Sequence, residues 1–222
     1  MEISNYLPFW DKLTYMQQQQ LQGSVQEQKF EKGTILHSGS ADCIGLLIPL
    51  KGQLRVYFLS EEGKEVTLYR LFEQDMCLFS ASCMMKNIEF DVIVMAEQDT
   101  TLLHIPTEVY KSLMEESVVV SNYTNEVMAS RFSDVMWLMD QVLSKKLDTR
   151  LAAFLIEESR LEQSENLTIT HEQIAHHLGS AREVITRMLK YFQTEQLVKL
   201  TRGKIQILDE VRMEHMASAS LR

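Results

Sequence analysis

The segment ITHEQIAHHLGSAREVITRMLKYFQ constrains the fold of this chain more than any other stretch. At about 100° per residue on a helix beginning near Arg182, the side chains of Arg182, Thr186, Lys190, Glu183 and Arg187 fall within an arc of about 140°. Val184, Met188, Phe192, Ile185 and Leu189 occupy the arc from about 200° to about 340°, so the two sets do not overlap. Such a helix buries one face in a domain and keeps the other in solvent. Ahead of it, Thr170 is placed to cap a short helix from His171 to about Leu178, with Ile174, Ala175 and Leu178 buried. Gly179 ends that helix and permits a sharp turn, and Ser180 is expected to cap the second helix, which runs to about Gln193. Two helices joined in this way form a helix-turn-helix, whose second helix fits a DNA major groove.

The polar arc has the chemistry for that groove. Arginine matches the paired O6 and N7 acceptors of guanine, and glutamate accepts from cytosine N4. A lone carboxylate among cations is costly beside phosphates, but has a use if it reads a base. Arg182, Glu183, Thr186 and Arg187 are therefore the candidate base-reading residues. The plainer alternative is an ordinary amphipathic helix with a solvated face. The sequence downstream weighs against that alternative. Leu197–Leu200, then Thr201-Arg202-Gly203-Lys204, then Ile205–Leu208 reads as a β-hairpin with a basic tip, a wing able to rest on the phosphate backbone. Thr170, Ser180, Lys190, Arg202 and Lys204 are the candidate backbone contacts. His176 and His177 do not make a metal site, because adjacent helical residues point apart and no cysteine or carboxylate completes a zinc set; no metal is expected.

The net charge of −9 argues at first against nucleic acid, yet the charge is unevenly placed. Residues 145–222 hold 12 Lys and Arg against 11 Asp and Glu, whereas 1–144 hold 10 against 20. An acidic body suppresses loose attachment to DNA and leaves affinity to a local basic surface. A length of 222 residues favours two domains. No apolar run is long enough to span a membrane, and MEISNYLPFWDK lacks the basic start and apolar core of a signal peptide. Three scattered cysteines make a disulfide framework improbable, so a cytoplasmic location is expected.

From about Val25 to Ile105 the chain reads as short β-runs broken by turns: VQEQKF, TILHS, Ile44–Leu50, QLRVYFLS, KEVTLYRLF, FDVIVMAE and TTLLHI. That spacing suggests a β-barrel or roll. Pro106 stops the pattern, Thr107 can cap a helix, and from there to Lys146 there is neither Gly nor Pro. Met128, Phe132, Val135, Met139 and Val142 recur at steps of 4, 3, 4 and 3, the spacing of an a/d seam, which predicts a parallel homodimer along this helix. The alternative is that the stripe packs on its own domain. LDTRLAAFLIEES then offers one core-facing stripe at 147, 151, 154 and 155. The expected domains are a sensor at 1–106, a dimerisation helix at 107–146 and a DNA-binding domain at 147–222.

The order of β-roll, long helix and winged helix-turn-helix resembles the cyclic-AMP receptor protein/FNR (Crp/Fnr) family of bacterial transcription regulators across nearly the whole chain. AREVITRML is similar to that family's recognition-helix pattern of Arg-Glu, three residues, then Arg. The resemblance implies an α+β fold: a double-stranded β-helix (jelly-roll, cyclic-nucleotide-binding-like) sensor, a dimerisation helix and a winged helix-turn-helix. It implies Arg182 and Arg187 reading guanines and Glu183 a cytosine, in TGTGA-like half-sites bound by a symmetric dimer. RNA polymerase is a further partner to expect, and whether the regulator acts as an activator or a repressor depends on its position at promoters.

The sensor end departs from the family pattern. Aligned on the final strand, the phosphate arginine of the cyclic-nucleotide members falls on Phe90 and the next hydroxyl on Asp91. A phenyl ring cannot pair with phosphate and a carboxylate repels it, so cyclic AMP is not the expected effector. The clustered N-terminal cysteines of the iron–sulfur members are absent, the first cysteine being Cys43. The haem sensors' switching histidine is replaced by Phe79, two residues after Cys77, so haem is not expected either. The cofactor is therefore left unassigned. What stands out is DMCLFSASCMM, where Cys77 and Cys83 flank Phe79, Ser80 and Ser82 in the expected effector loop. Buried core thiols, a thiol switch and a small-ligand pocket are the three readings of that loop.

No Gly-rich phosphate loop, nucleophile elbow or metal-ligand spacing supports an enzyme, and His104, in an apolar strand, reads as a core histidine. A regulatory subunit using both domains for protein contacts, or a constitutive DNA binder without ligand, are the alternatives to a signal-controlled regulator.

Overall fold

The computed structural model describes residues 3–39, 44–78, 80 and 91–221. The chain divides into two compact units, one made of Met1–Leu59 with Leu68–Val135, the other of Ser60–Thr67 with Met136–Arg222.

In the first unit, short 3-10 turns and α1 (Tyr15–Ser24) precede the strands β1 (Gln26–Phe30), β2 (Ile35–Ser38), β3 (Leu46–Lys51), β4 (Leu54–Leu59), β5 (Glu65–Leu71, whose residues up to Thr67 are counted with the second unit), β6 (Ile93–Ala96) and β7 (Thr100–Ile105). They form an antiparallel three-stranded sheet ordered β1-β7-β3 and a four-stranded sheet ordered β2-β6-β4-β5. The two faces of β3 and β7 serve different cores, which is why apolar residues fall on both faces of each strand rather than alternating. Leu46, Ile48, Leu103 and Ile105 pack with Leu21, Tyr110 and Leu113 on one side. Leu47 and Leu102 pack with Leu54, Val56, Tyr69, Leu71, Cys77 and Val94 on the other. Pro49 is tolerated because β3 is an edge strand, and the register shifts between Pro49 and Lys51.

The expected single helix from 107 to 146 is two. Pro106, not Thr107, occupies the N-cap of α2 (Thr107–Glu116). At Ser117 the backbone turns extended, at φ −125° and ψ 110°. Its N–H closes α2 on the Leu113 carbonyl, and its own carbonyl opens α3 (Val118–Ser144) by accepting from Ser121 N at 3.0 Å. A serine between helices does this without Gly or Pro, because an extended residue can end one helix and start the next. The two helices are tied by Tyr110, whose hydroxyl lies 2.7 Å from Thr124 Oγ1. Burial pushes that phenol up to about 12, so it stays neutral and free to donate. Arg131 of α3 reaches Asp75 at 3.3 Å and Asp134 at 3.0 Å, and its guanidinium lies over the Tyr69 ring at 4.8 Å.

The second unit is built on α4 (Leu147–Glu162), α5 (His171–Leu178), α6 (Arg182–Thr194), a three-stranded sheet ordered β8-β10-β9 (Asn166–Leu167, Lys204–Ile207, Val198–Thr201) and α7 (Glu210–Ala217). Its core gathers Leu151, Leu155, Leu167, Ile174, Ile185, Leu189, Phe192, Val198, Ile205 and Met213. The single stripe expected on α4 is a correction: Leu151 to Ile156 are buried without a break, so α4 is enclosed over most of its circumference. Arg150 on α4 donates to the Leu178 carbonyl at 2.7 Å, satisfying the C-terminal end of α5. Within this unit Thr67 Oγ1 lies 2.8 Å from His177 Nδ1, and Glu65 lies 3.5 Å from His176 Nδ1.

Gly179, at φ 64° and ψ 39°, makes the turn between α5 and α6. A Cβ there would come within 2.7 Å of Val66 Cγ2. Gly179→Ala is expected to lose at least about 1 kcal/mol from left-handed strain, with the contact adding to it. A lowered urea midpoint by circular dichroism on the full chain would register the loss, whereas Ser180→Ala alongside should leave the midpoint nearly unchanged.

Candidate nucleic-acid interface

Two local devices fix the geometry of α5 and α6. Thr170 opens α5 with a capping box, its Oγ1 accepting from Gln173 N at 3.1 Å while Gln173 Oε1 accepts from Thr170 N at 2.9 Å. At the other end Gly179 N–H bonds to the Ala175 carbonyl, and Ser180 N follows to the same oxygen at 2.9 Å. Ser180 does not cap α6. The N-cap is Ala181, at φ −86° and ψ 141°, and it makes no side-chain cap bond. Ser180 is spent in the turn, and the next residue inherits the cap position.

α6 is anchored by Ile185, Leu189 and Phe192, all at 0% exposure. With these three inward, Arg182, Glu183, Arg187 and Lys190 are exposed and Thr186 is half-buried at the rim. Among the described residues, the side chains of Arg182, Glu183, Arg187 and Lys190 make no hydrogen bond or ion pair. Elsewhere in the chain Arg131, Arg160 and Arg212 are each paired with a carboxylate. The cations of α6 are solvated and uncommitted.

His171 belongs to this surface and was not among the residues the sequence singled out. Its Nδ1 lies 3.0 Å from Thr186 Oγ1, which in turn donates to the Arg182 carbonyl at 2.8 Å. The first residue of α5 thus meets the middle of the polar arc of α6. Burial chiefly, then the neighbouring Arg182 and Lys190 charges, holds the imidazole below its ordinary pKa of 6.5. The signal that would have found it is its place beside the cap, one residue after Thr170.

The hairpin after α6 is a wing. β9 and β10 pair from Val198↔Ile207 to Thr201↔Lys204, with Arg202-Gly203 at the tip. Gln193 of α6 accepts from Leu200 N at 2.9 Å, which ties the wing to the helix. Lys199, Arg202 and Lys204 are exposed, and among the described residues their side chains have no partner.

Comparison with known proteins decides the identity. Residues 149–216 match the model of the Crp-like helix-turn-helix domain, and residues 27–117 match that of the cyclic nucleotide-binding domain. A crystal structure of a Crp/Fnr-family protein from Eubacterium rectale superposes with a TM-score of 0.95 at 56% identity, covering 96% of this chain and 99% of that one. The chain belongs to the Crp/Fnr family. The Global nitrogen regulator of Synechococcus elongatus is 24% identical over 205 residues, covering 87% of this chain and 90% of that protein. The cyclic AMP receptor protein of Thermus thermophilus is 24% identical over 172 residues, covering 78% and 79%. The protein is a DNA-binding transcription regulator of the Crp/Fnr type, with the α+β architecture of that family.

The other residues expected to act in this Crp/Fnr regulator fall as follows. Cys77 is at 0% exposure, with its N–H on the Leu47 carbonyl at 2.8 Å. Ser80 is also fully buried, and its hydroxyl donates to the carbonyls of Gly45 at 2.6 Å and Cys77 at 3.0 Å. Both hold the loop to the start of β3. Phe79, Ser82, Cys83 and Phe90 lie outside the described residues. Asp91 is exposed. On α3, Phe132 is 68% exposed, with Met139 and Val142 near half. Met128 differs from the rest of the expected seam: it packs against both cores of its own unit. Among the described residues no helix is long and apolar enough to cross a membrane, and no cluster of His, Cys, Asp or Glu could hold a metal ion.

Proposed function

We propose that the exposed arc of α6 reads base edges in the major groove: Arg182 and Arg187 on guanine O6 and N7, and Glu183 on cytosine N4. The observation that carries this is the uncommitted state of those side chains on a helix whose opposite face is locked into the core. Thr186 has its hydroxyl proton on the Arg182 carbonyl, which leaves its methyl group for contact with a thymine methyl. Lys190, Arg202 and Lys204 contact phosphates, with Ser180 at the turn, and they set register rather than sequence. Thr170, whose hydroxyl is committed to its capping box, acts by fixing the start of α5.

The protein works as a homodimer along α3. Phe132, Met139 and Val142, with Met136 and Leu143 beside them, leave a run of large apolar side chains in solvent, and their heptad spacing fits a second copy. A symmetric dimer presents two copies of α6 to half-sites of the TGTGA type about one helical turn apart. The β-roll is the sensor, and the carboxylate of Asp91 where the family's cyclic-nucleotide members place a hydroxyl points to a signal other than cyclic AMP. RNA polymerase is the protein partner that an activator of this kind would meet at a promoter, in the cytoplasm.

Arg187→Ala is expected to cost about 1–3 kcal/mol on the specific duplex and to flatten discrimination at one base pair. Lys204→Ala should weaken specific and scrambled duplexes alike and lower the salt slope by about one. Fluorescence anisotropy on both duplexes at two salt concentrations separates the two effects. Phe132→Glu combined with Val142→Glu places like charges across the two-fold seam. By sedimentation velocity it should convert dimer to monomer without loss of helical circular dichroism.

A further inference from the structure

We propose that His171 contacts a DNA phosphate as the imidazolium, so that each protomer takes up a proton through this side chain when it binds DNA. The inference rests on the DNA-reading function above and adds to it a residue and a pH dependence.

Thr186 Oγ1 lies 2.8 Å from the Arg182 carbonyl and 3.0 Å from His171 Nδ1. Its hydroxyl has one proton to give. With that proton on the carbonyl, its oxygen accepts from Nδ1–H, and the neutral ring in that tautomer presents a lone pair at Nε2. Nε2 has no partner among the described residues and is not enclosed. The ring lies close enough to Arg182 and Lys190 to feel both charges, and exposed cations of this kind gather phosphates. A lone pair facing a phosphate oxygen is repulsive, whereas an N–H donating to it is a charge-assisted hydrogen bond. From the Nδ1–H tautomer, protonation at Nε2 gives that contact, and the imidazolium keeps its Nδ1–H on Thr186 at the same time.

The surroundings of the ring make the uptake conditional on DNA. The charged groups that bear on it are Arg182 and Lys190, both cations and both from α6. Glu172 follows it on α5 and Glu183 stands on α6, and neither is hydrogen-bonded to it. With burial, the two cations hold the imidazole below its ordinary range in the free protein, so it is neutral near pH 7. Phosphates laid across Arg182 and Lys190 offset those charges and reverse the shift. The folded, DNA-bound ring then has the higher pKa, and binding takes up protons between the free and bound values. Affinity must rise as pH falls through that window and level off below the free value.

The test uses the full-length protein and a duplex that the protein itself enriches from a random pool. Affinity is measured by anisotropy from about pH 6 to about pH 8, around the ordinary histidine pKa, at constant ionic strength. The wild type should gain several-fold per pH unit lowered, with a limit of about tenfold per protomer for one linked proton. His171→Asn keeps a donor near the Nδ1 position for Thr186 and removes Nε2. Its profile should be flatter by that amount, while His176, His177 and His215 contribute equally to both profiles. His171→Arg should bind tightly across the range without that slope. Calorimetry in buffers of different ionisation heat should show proton uptake by the wild type and its loss in His171→Asn.

Parallel profiles for wild type and His171→Asn overturn the proposal. So does an affinity that falls on acidification, the result expected if neutral Nε2 accepts from a base amino group. If no duplex is enriched from the pool, the DNA-reading assignment itself fails and takes this one with it, an outcome distinct from specific binding without proton linkage.

Discussion

The rotational setting of α6 is the constraint on which the interface depends. Ile185, Leu189 and Phe192 are at 0% exposure and spaced at four and three residues, so they define one line along the helix. Truncating a buried phenylalanine costs about 3–5 kcal/mol, far more than any single solvated arginine can return to folding. The core therefore decides which way α6 faces, and Arg182, Glu183 and Arg187 are exposed as a consequence. Because the helix is locked by packing, its outward charged side chains, Arg182, Glu183, Arg187 and Lys190, need no internal partners and have none among the described residues. Charges that would be neutralised elsewhere in the chain are held ready for an external ligand. The capping box at Thr170 and the left-handed Gly179 set the placement of α5 against it. His171, the first residue of α5, meets Thr186 on α6 as a result.

The acidic balance of the whole chain fits this design. With 20 acidic against 10 basic residues in 1–144, the body is repelled by a polyanion, whereas the α6 arc and the wing group their uncommitted cations together. Non-specific attachment depends on the number of phosphates neutralised, so it is weak in such a protein. Discrimination then rests on a few base contacts, which is where one carboxylate among cations becomes useful. In the base-reading role proposed for it, Glu183 forfeits phosphate affinity and gains selectivity for cytosine N4.

Much of this was legible in the sequence because it is periodic. Six of the seven strands from β1 to β7 lie within the runs separated by turn residues, β3 overrunning its own by Lys51, and the two faces of α6 separate by angle alone. What was not legible depends on single residues in tertiary context. Ser117 breaks a helix with no Gly or Pro to mark the place, since extended dihedrals at one serine leave no compositional trace. Ala181 took the cap position expected of Ser180 because the turn after Gly179 consumed one residue more. The enclosure of α4 on several faces was hidden because Ala152, Ala153 and Ser159 are small residues that any helix tolerates on its surface. His171 was passed over because its role needs Thr186, fifteen positions away, and a hydrogen bond between two helices is invisible to spacing along one.

The central claim is that the arginines of α6 read guanine edges, and replacing single guanines of the enriched duplex by 7-deazaguanine tests it most directly. That change removes the N7 acceptor and leaves the base pair, the phosphates and the charge intact. The account predicts that two guanines per half-site each lose affinity by about 1–3 kcal/mol with the wild type, one losing nothing further with Arg187→Ala and the other nothing further with Arg182→Ala. Equal binding to every deaza-substituted duplex would contradict it, as would a loss that persists undiminished in Arg187→Ala and Arg182→Ala.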